Sequence, residues 1–381
     1  MRSVQAKLSS VDWDFVSSKS KKIHAIHPYP ARFIPEVPST LIDLFYQNDG
    51  SAVLDPFCGS GTTLVEAFKR SIVAVGVDLN PLACLITKVK LTPIYTSELL
   101  TARDNVFLNS KHLSQGGSIS IPAIPNLDHW FKPSIQRALA CLNTSISSIS
   151  NCHIRDVLKV ALSSIIVRVS NQESNTRYAA IEKLTTQEDT FSLFSRAVSS
   201  IAIALKWLEG DLFMRKPLSS VINKDILTME PEDIPYTVGL VITSPPYPNA
   251  YEYWLYHKYR MYWLGMDPLA VKSREIGARP HYFKRNHQTE KDFERQMTRC
   301  FWLLARVMRT DAKACFLVGR SIIHGRYIDN CAILKRAATQ NGFVLEGITE
   351  RNILITRKAF NPSHGKITKE NVAVFRLKKK P

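Results

Sequence analysis

The stretch from Ala52 to Asp78, AVLDPFCGSGTTLVEAFKRSIVAVGVD, constrains the fold more than any other part of the chain. The apolar run AVL ends at Asp55 and enters the glycine-containing turn PFCGSG, after which TTLVEAFKR has the apolar spacing of a helix. A second apolar run, SIVAVGVD, ends at Asp78, and a proline-started helix, NPLACLITKVK, follows. This predicts a strand, turn, helix, strand unit with its turn at the carboxyl end of the first strand, where open α/β sheets bind ligands. Gly59 and Gly61 form a G-x-G with Leu64 at the place of a third glycine, a weak sign by itself. Asp55 at the strand tip and Asp78, 19 residues beyond Gly59, strengthen it, because a carboxylate at that distance accepts hydrogen bonds from both hydroxyls of a ribose. The glycines allow close approach of a ligand to the backbone. GTT stands where a P-loop needs G-K-[ST], which argues against triphosphate hydrolysis and for a ligand with a ribose but no pyrophosphate. The competing reading, an ordinary tight strand-to-helix turn, leaves both aspartates to coincidence.

After Pro93 the β/α rhythm stops. IQRALACLNTSISSI, IRDVLKVALSSIIVRVS and FSLFSRAVSSIAIALKWLEG have helical periodicity and are joined by Ser-, Asn- and Gln-rich turns. The rhythm returns with SSVINKDIL, YTVGLVITSPPY, the helix candidates YEYWLYHKYRMYWLG and FERQMTRCFWLLARVM, and the strands KACFLVG, GFVLEGI and NVAVFRL. The expected fold class is α/β with a helical insertion: residues 1–93 form the ligand-binding half, 94–218 the insertion and 219–381 the second half of the sheet. No internal repeat is visible.

At 381 residues, 45% hydrophobic and 22% charged, the chain can bury a full core. No apolar run approaches the ~20 residues that span a bilayer, and MRSVQAKLSSVDWDFVSSKSKK has no secretory apolar core, so a cytoplasmic protein without a membrane partner is expected. The seven cysteines (58, 84, 141, 152, 300, 315, 331) contain no C-x-x-C pair and no zinc-ligand spacing, which points to reduced, mostly buried thiols and no metal. The formal net charge of +17 favours a polyanionic partner, nucleic acid first.

In TSPPY, Thr243 to Tyr247, both prolines have fixed φ and the residue before each is pushed to extended geometry. Such a turn presents its carbonyl oxygens rigidly. With the Ser244 hydroxyl they are acceptors, which suit an amino group on a base, and Tyr247 offers a stacking face worth ~1–3 kcal/mol per base.

DPFCGSGTT together with TSPPY resembles the amino-methylating DNA methyltransferases that use S-adenosylmethionine (AdoMet). The Ser in first position resembles their cytosine-N4 branch, whereas Asp or Asn is commoner in the adenine-N6 branch. The likeness extends over residues 24 to 90 and 219 to 378. It implies a Rossmann-like AdoMet-dependent methyltransferase sheet. It also implies that HPYPARFIPEVPSTLI, His27 to Ile42, closes over the methionine end of the cofactor with Pro30 and Phe33 as contacts. Asp55, Pro56, Phe57, Gly59, Gly61 and Thr62 would wrap the cofactor, Asp78 hold its ribose and Asp225 of NKDIL lie near its adenine. Ser244, Pro245, Pro246 and Tyr247 would hold a target base flipped from duplex DNA. The setting implied is restriction–modification, with a cognate restriction endonuclease as a functional partner.

The insertion and a basic segment after the turn depart from the family's commonest layouts and compete for the reading of DNA. VKSREIGARPHYFKRNHQ, Val271 to Gln288, carries Lys272, Arg274, Arg279, Lys284 and Arg285, interleaved with His281, Tyr282, Phe283 and His287 for phosphate contact and base wedging. Its bland reading is a solvated loop. In VRVSNQESNTRY, Arg168, Gln172 and Arg177 are candidates for base edges, with helix capping as the alternative. Seven aromatics from Tyr251 to Trp263 read mostly as core, with one or two near Tyr251 lining a base pocket. The absence of any Pro-Cys dipeptide argues against cytosine-C5 chemistry, which needs a cysteine nucleophile. Adenine-N6 methylation, RNA amine methylation and a non-enzymatic DNA-binding protein are the rivals.

Overall fold

A computed structural model describes residues 3–16, 22–30, 32, 34–175, 177–209, 219–249, 251–285, 287–353 and 368–380. Nine strands are assigned among them: β1 (Ala52–Asp55), β2 (Ala74–Asp78), β3 (Ser219–Asn223), β4 (Val238–Thr243), β5 (Met308–Gly319), β6 (Ser321–Ile323), β7 (Arg326–Ile328), β8 (Phe343–Asn352) and β9 (Lys369–Leu377). Seven form one sheet in the order β3-β2-β1-β4-β5-β9-β8, and β6 with β7 make a separate antiparallel hairpin. The pairs from β3 through β5 are parallel, whereas β9 runs antiparallel between β5 and β8. This is the Rossmann-like α/β sheet expected. Its strand order reverses between β1 and β4, so the turns after these two strands flank the crevice where doubly wound sheets take ligands.

The strands form because their apolar residues alternate between two cores. Along β5, Cys315 and Leu317 face one cluster while Ala314, Phe316 and Val318 face the other. The first cluster is shared with the insertion helices Pro133–Ser147, Cys152–Val169 and Gln187–Leu205, and the second is closed by the helices Glu290–Val307 and Asn330–Thr339. Each of the three helical stretches read in the insertion is therefore a helix, and each buries its apolar stripe in that first cluster. One helical run, Gln187–Leu208, is long and apolar enough in length and composition to cross a membrane. Here its Phe191, Phe194, Val198 and Leu205 belong to the core.

Three elements carried too faint a pattern to be read. The helix Thr96–Ser114 buries only Leu99, Ala102, Val106 and Ser110, a stripe too narrow and too weakly apolar to stand out. The helix Val4–Ser9 lies along β8, where the Gln5 side chain donates to the Ile348 carbonyl (3.1 Å) and accepts from the Ile348 N–H (3.0 Å), satisfying an edge that would otherwise be open. The β6–β7 hairpin is too short for periodicity. All seven cysteines are free, and only Cys152 is exposed.

The second core is organised around Phe301, whose ring stacks on Phe316 at 4.8 Å and meets Phe343 and Phe375 edge-on. Phe301→Ala is expected to cost about 3–5 kcal/mol in denaturant unfolding. Leu184→Ala on the insertion, 90% exposed, should stay within about 0.5 kcal/mol.

Candidate active site

The carboxyl ends of β1, β2, β3 and β4 converge on a cavity with about 870 Å³ of empty space, part of it open to solvent. Its wall contains Pro56, Phe57, Gly59, Thr62, Asp78, Asp225, Ser244, Pro246 and Arg274, so two turns from distant parts of the sequence face a single space. Pro30, Asp55, Gly61, Pro245 and Tyr247 are outside the lining, and Phe33 lies outside the described residues. Lys272, Arg279, Lys284 and Arg285 are also outside it.

The turn after β1 is shaped by its glycines. Gly59 has φ +49°, and a Cβ there would come within 3.2 Å of the Tyr29 ring. Gly61, at φ +77°, caps the helix Thr62–Phe68, and its missing side chain leaves room for Thr87. Asp78 accepts from the Gly59 N–H and from the Asn80 N–H, both at 2.8 Å. Burial nevertheless outweighs these bonds and raises its pKa to about 6. Asp225 accepts from the Leu227 N–H at 2.9 Å and caps a short 3-10 turn at the cavity wall.

Asp55 holds the site together from beneath. It is 1% exposed, and its carboxylate accepts from the Thr63 hydroxyl (2.7 Å), the Thr243 hydroxyl (2.7 Å) and the Phe57 N–H (3.1 Å). Burial is the largest influence on it and raises its pKa to about 6. The β1 turn, the helix behind it and the tip of β4 are thus tied to one side chain.

Several lining residues were not singled out from the sequence. Tyr29 stacks on Tyr253 (5.9 Å) and on His257 (5.0 Å), joining the HPYPARF segment to the helix Tyr253–Trp263. Tyr253 belongs to the aromatic run from which one or two pocket residues were expected. Arg32 donates to the His24 carbonyl and faces the cavity. Ser60 and Asn80, each 3% exposed, line it with the Ser60 hydroxyl and the Asn80 amide nitrogen left without a hydrogen-bond partner among the described residues. Beneath Ser60, the buried Lys90 ammonium donates to its carbonyl at 2.6 Å. Glu275 is in the wall too, and burial pushes its carboxyl up to about 8. No local pattern marks these residues, because they meet only through tertiary packing.

Three expectations from side-chain type are revised. Tyr247 is 9% exposed, with a backbone hydrogen bond from Gly319 to its hydroxyl, so its ring sits in the second core behind the turn. Tyr282 is fully buried and unavailable as a base wedge, whereas Phe283 is exposed beside His324 (5.0 Å). Gln172 is 1% exposed and folds its amide back onto the Ser174 carbonyl, which removes it from base reading. The basic segment is not an irregular loop, for it takes in the end of the helix Pro268–Arg274 and the whole of the helix Arg279–Phe283.

A family model described as DNA methylase, covering amino methyltransferases of the N6/N4 type, matches residues 4–89, the segment that builds Tyr29, the glycine turn and Asp78. Over this segment the chain is similar to the N6/N4 DNA methylase family. The Type II methyltransferase M.MvaI of Kocuria varians is 27% identical over 255 residues, which is 62% of this chain and 56% of that one. M.MjaII of Methanocaldococcus jannaschii is 39% identical over 87 residues, 21% of this chain and 16% of its own. M.BsoBI of Geobacillus stearothermophilus is 22% identical over 68% of this chain and 56% of its own. The matches thus span at most a little over half the length of these relatives. Among solved structures, TrmN from Thermus thermophilus aligns with a TM-score of 0.36 at 11% identity, over 91% of this chain and 49% of that one, too remote to carry function.

The cofactor that this similarity implies is AdoMet, and the cavity fits it. Two orphaned buried polar groups, Ser60 and Asn80, await partners there. Asp78 keeps lone pairs for ribose hydroxyls, while the aromatic rings of Phe57 and Tyr29 and the Arg32 guanidinium suit the base, sulfonium and carboxylate of such a molecule. The sign of the pH effect follows from Asp78. Its pKa is raised in the folded protein, so its contribution to stability is fully present below the ordinary carboxylate range and is lost as pH rises through about 6. Hydroxyls donating to the charged form oppose this. AdoMet affinity should therefore strengthen from pH 5 to pH 7, and Asp78→Asn should both weaken binding and flatten the dependence in titration calorimetry.

Proposed function

We propose that the chain transfers the methyl group of AdoMet to the exocyclic N4 amine of cytosine in duplex DNA, as the modification half of a restriction–modification pair. The observation that carries this reading is that Ser244 and Pro246 share one cavity wall with Gly59 and Asp78. An acceptor turn and a cofactor turn then face the same space, as direct transfer between two ligands requires. The relatives named Type II methyltransferases support DNA as the substrate and restriction–modification as the setting.

In this mechanism the Ser244 hydroxyl and the Pro245 carbonyl accept the two amine protons, so the nitrogen lone pair is less committed to the ring. The prolines fix that pair of acceptors before the base arrives. When bound, AdoMet supplies an activated methyl group on a cationic sulfur. The chain's contribution is therefore mostly alignment of nitrogen with that methyl, which is where intramolecular geometry gains most of its rate. Tyr253 offers the target base aromatic surface inside the cavity. Tyr247, buried in the second core, backs the turn and leaves stacking on the base to Tyr253. Exposed Arg274, Arg279, Lys284 and Arg285 are the phosphate contacts proposed, with half-buried Lys272 held 4.6 Å over the Trp254 ring.

The decisive assay is incubation with mixed-sequence duplex DNA and methyl-labelled AdoMet, followed by digestion to nucleosides and mass analysis. N4-methylcytosine is the expected product. N6-methyladenine would keep the mechanism and overturn the base assignment, and label in RNA alone would overturn the substrate. Ser244→Ala is expected to retain AdoMet binding while methyl transfer falls by ~10² or more, the scale of a lost transition-state contact. Unchanged turnover would remove Ser244 from the chemistry.

A further inference from the structure

The basic segment and the catalytic turn are joined by a set of contacts that neither the cofactor nor the base reading uses. Glu275 ends the helix Pro268–Arg274, between Arg274 and the run that carries Arg279. Its two carboxyl oxygens accept separately, Oε1 from the Tyr253 N–H and Oε2 from the Trp254 N–H, both at 2.8 Å. Tyr253 and Trp254 open the helix that follows the catalytic turn, whose N-cap residue, Glu252, makes no side-chain cap bond of its own. A carboxyl from the basic segment therefore satisfies the first free N–H groups of a helix whose first residue lines the cavity.

Two residues on, Gly277 has φ +78°, and a Cβ there would stand 2.7 Å from the Tyr247 carbonyl oxygen. The Gly277 carbonyl accepts from the Asn249 N–H at 2.9 Å. Lys272 lies over the Trp254 ring at 4.6 Å, so the segment grips the far side of the same helix start. Three residues of the basic segment, Lys272, Glu275 and Gly277, thus fix the path of the chain from Tyr247 to Trp254, and of these Glu275 is the one that is also in the cavity wall, 6% exposed.

We infer that Glu275 is a positioning residue that transmits engagement of the basic segment with the DNA backbone to Tyr253 and the catalytic turn, so that the turn is aligned when DNA is seated. The inference rests on the proposed DNA methyltransferase function for its consequence, and on the hydrogen bonds alone for its existence. Glu275 acts through Tyr253 and the helix start, without contact to the reacting atoms. The scale expected is that of a misplaced reacting group, roughly 10- to 100-fold in rate.

The test compares wild type, Glu275→Gln and Glu275→Ala in the full chain. Hydrogen exchange without DNA reads the Tyr253 and Trp254 amides. Steady-state methyl transfer to duplex DNA separates kcat from KM, and calorimetry reads AdoMet affinity. Glu275→Ala should speed exchange of those amides about tenfold or more and lower kcat about 10- to 100-fold, while AdoMet affinity and the KM for DNA stay within about threefold. Glu275→Gln keeps one acceptor oxygen and should recover part of both. A kcat unchanged in Glu275→Ala would overturn the inference, as would an AdoMet affinity that falls as far as kcat, which is the mark of a merely structural residue. If wild type transfers no methyl group to DNA, the functional reading fails separately. Exchange accelerated only over residues 251–258 then upholds the clasp, and unchanged exchange overturns it.

Discussion

One buried carboxylate organises the site. Asp55 sits at the point where the strand order reverses, and it receives the hydroxyl of Thr243, the last residue of β4, and the hydroxyl of Thr63, in the first turn of the helix after the glycines. The glycine turn and the proline turn are therefore set relative to each other before any ligand binds. A carboxylate with three donors in a dry site is costly to bury, and the rise of its pKa to about 6 measures how incompletely those donors replace water. Removing one donor leaves the charge worse off, which is why such a hub resists piecemeal substitution. The role differs from direct contact with the cofactor, although the family resemblance groups Asp55 with the wrapping residues. It stands one layer back and fixes the residues that do touch the cavity.

The parts of the fold that were legible in the sequence are those written in local periodicity. β1, the glycine turn and β2 could be read because their apolar runs are short, continuous and bounded by turn residues, and Asp78 could be placed because its distance from Gly59 is set by one helix and one strand. Ser244 was legible because a Ser-Pro-Pro-Tyr turn has few conformations to choose from. Glu275 and Asn80 were not, since nothing near them in sequence says that they will face a cavity. Tyr247, Tyr282 and Gln172 were misjudged for the converse reason. Their side chains have the chemistry of recognition, but burial is decided by packing, and each was claimed by a core or by its own loop. Strand order lay equally out of reach, because the antiparallel insertion of β9 between β5 and β8 is a long-range pairing with no signature in either strand.

Positive charge is distributed on two levels. On the surface, Arg274, Arg279, Lys284 and Arg285 are exposed beside the cavity, where polyanion attraction is sequence-independent. In the interior, Lys90 and Arg260 are each 1% exposed, and among the described residues neither forms an ion pair with a carboxylate. Lys90 is held by the Ser60 carbonyl, and Arg260 by the Ser163 and Tyr256 carbonyls and the Asn175 side chain. Burial pushes the Lys90 pKa well below its ordinary value, with Arg32 adding to the effect. Lys90 sits behind Ser60 of the cavity wall, so an anionic group of a ligand beside Ser60 favours the charged ammonium that burial disfavours.

This arrangement separates tasks that a single flexible loop could not combine. Methyl transfer between a cofactor and a base needs two ligands to be presented face to face within a fraction of an ångström, and a turn that is stiff by itself still has to be stiff relative to its neighbour. The prolines remove freedom inside the turn, and the Thr243 bond to Asp55 removes it on the β4 side. On the far side, the Gly277 carbonyl takes the Asn249 N–H, and the Asn249 side chain donates to the Ile322 carbonyl of the β6–β7 hairpin at 2.7 Å. The proline turn is thus pinned at both ends to elements that come from different parts of the chain. Folding thus confines the turn's acceptors closely, and in the role inferred for Glu275 the seating of DNA on the basic segment completes their alignment.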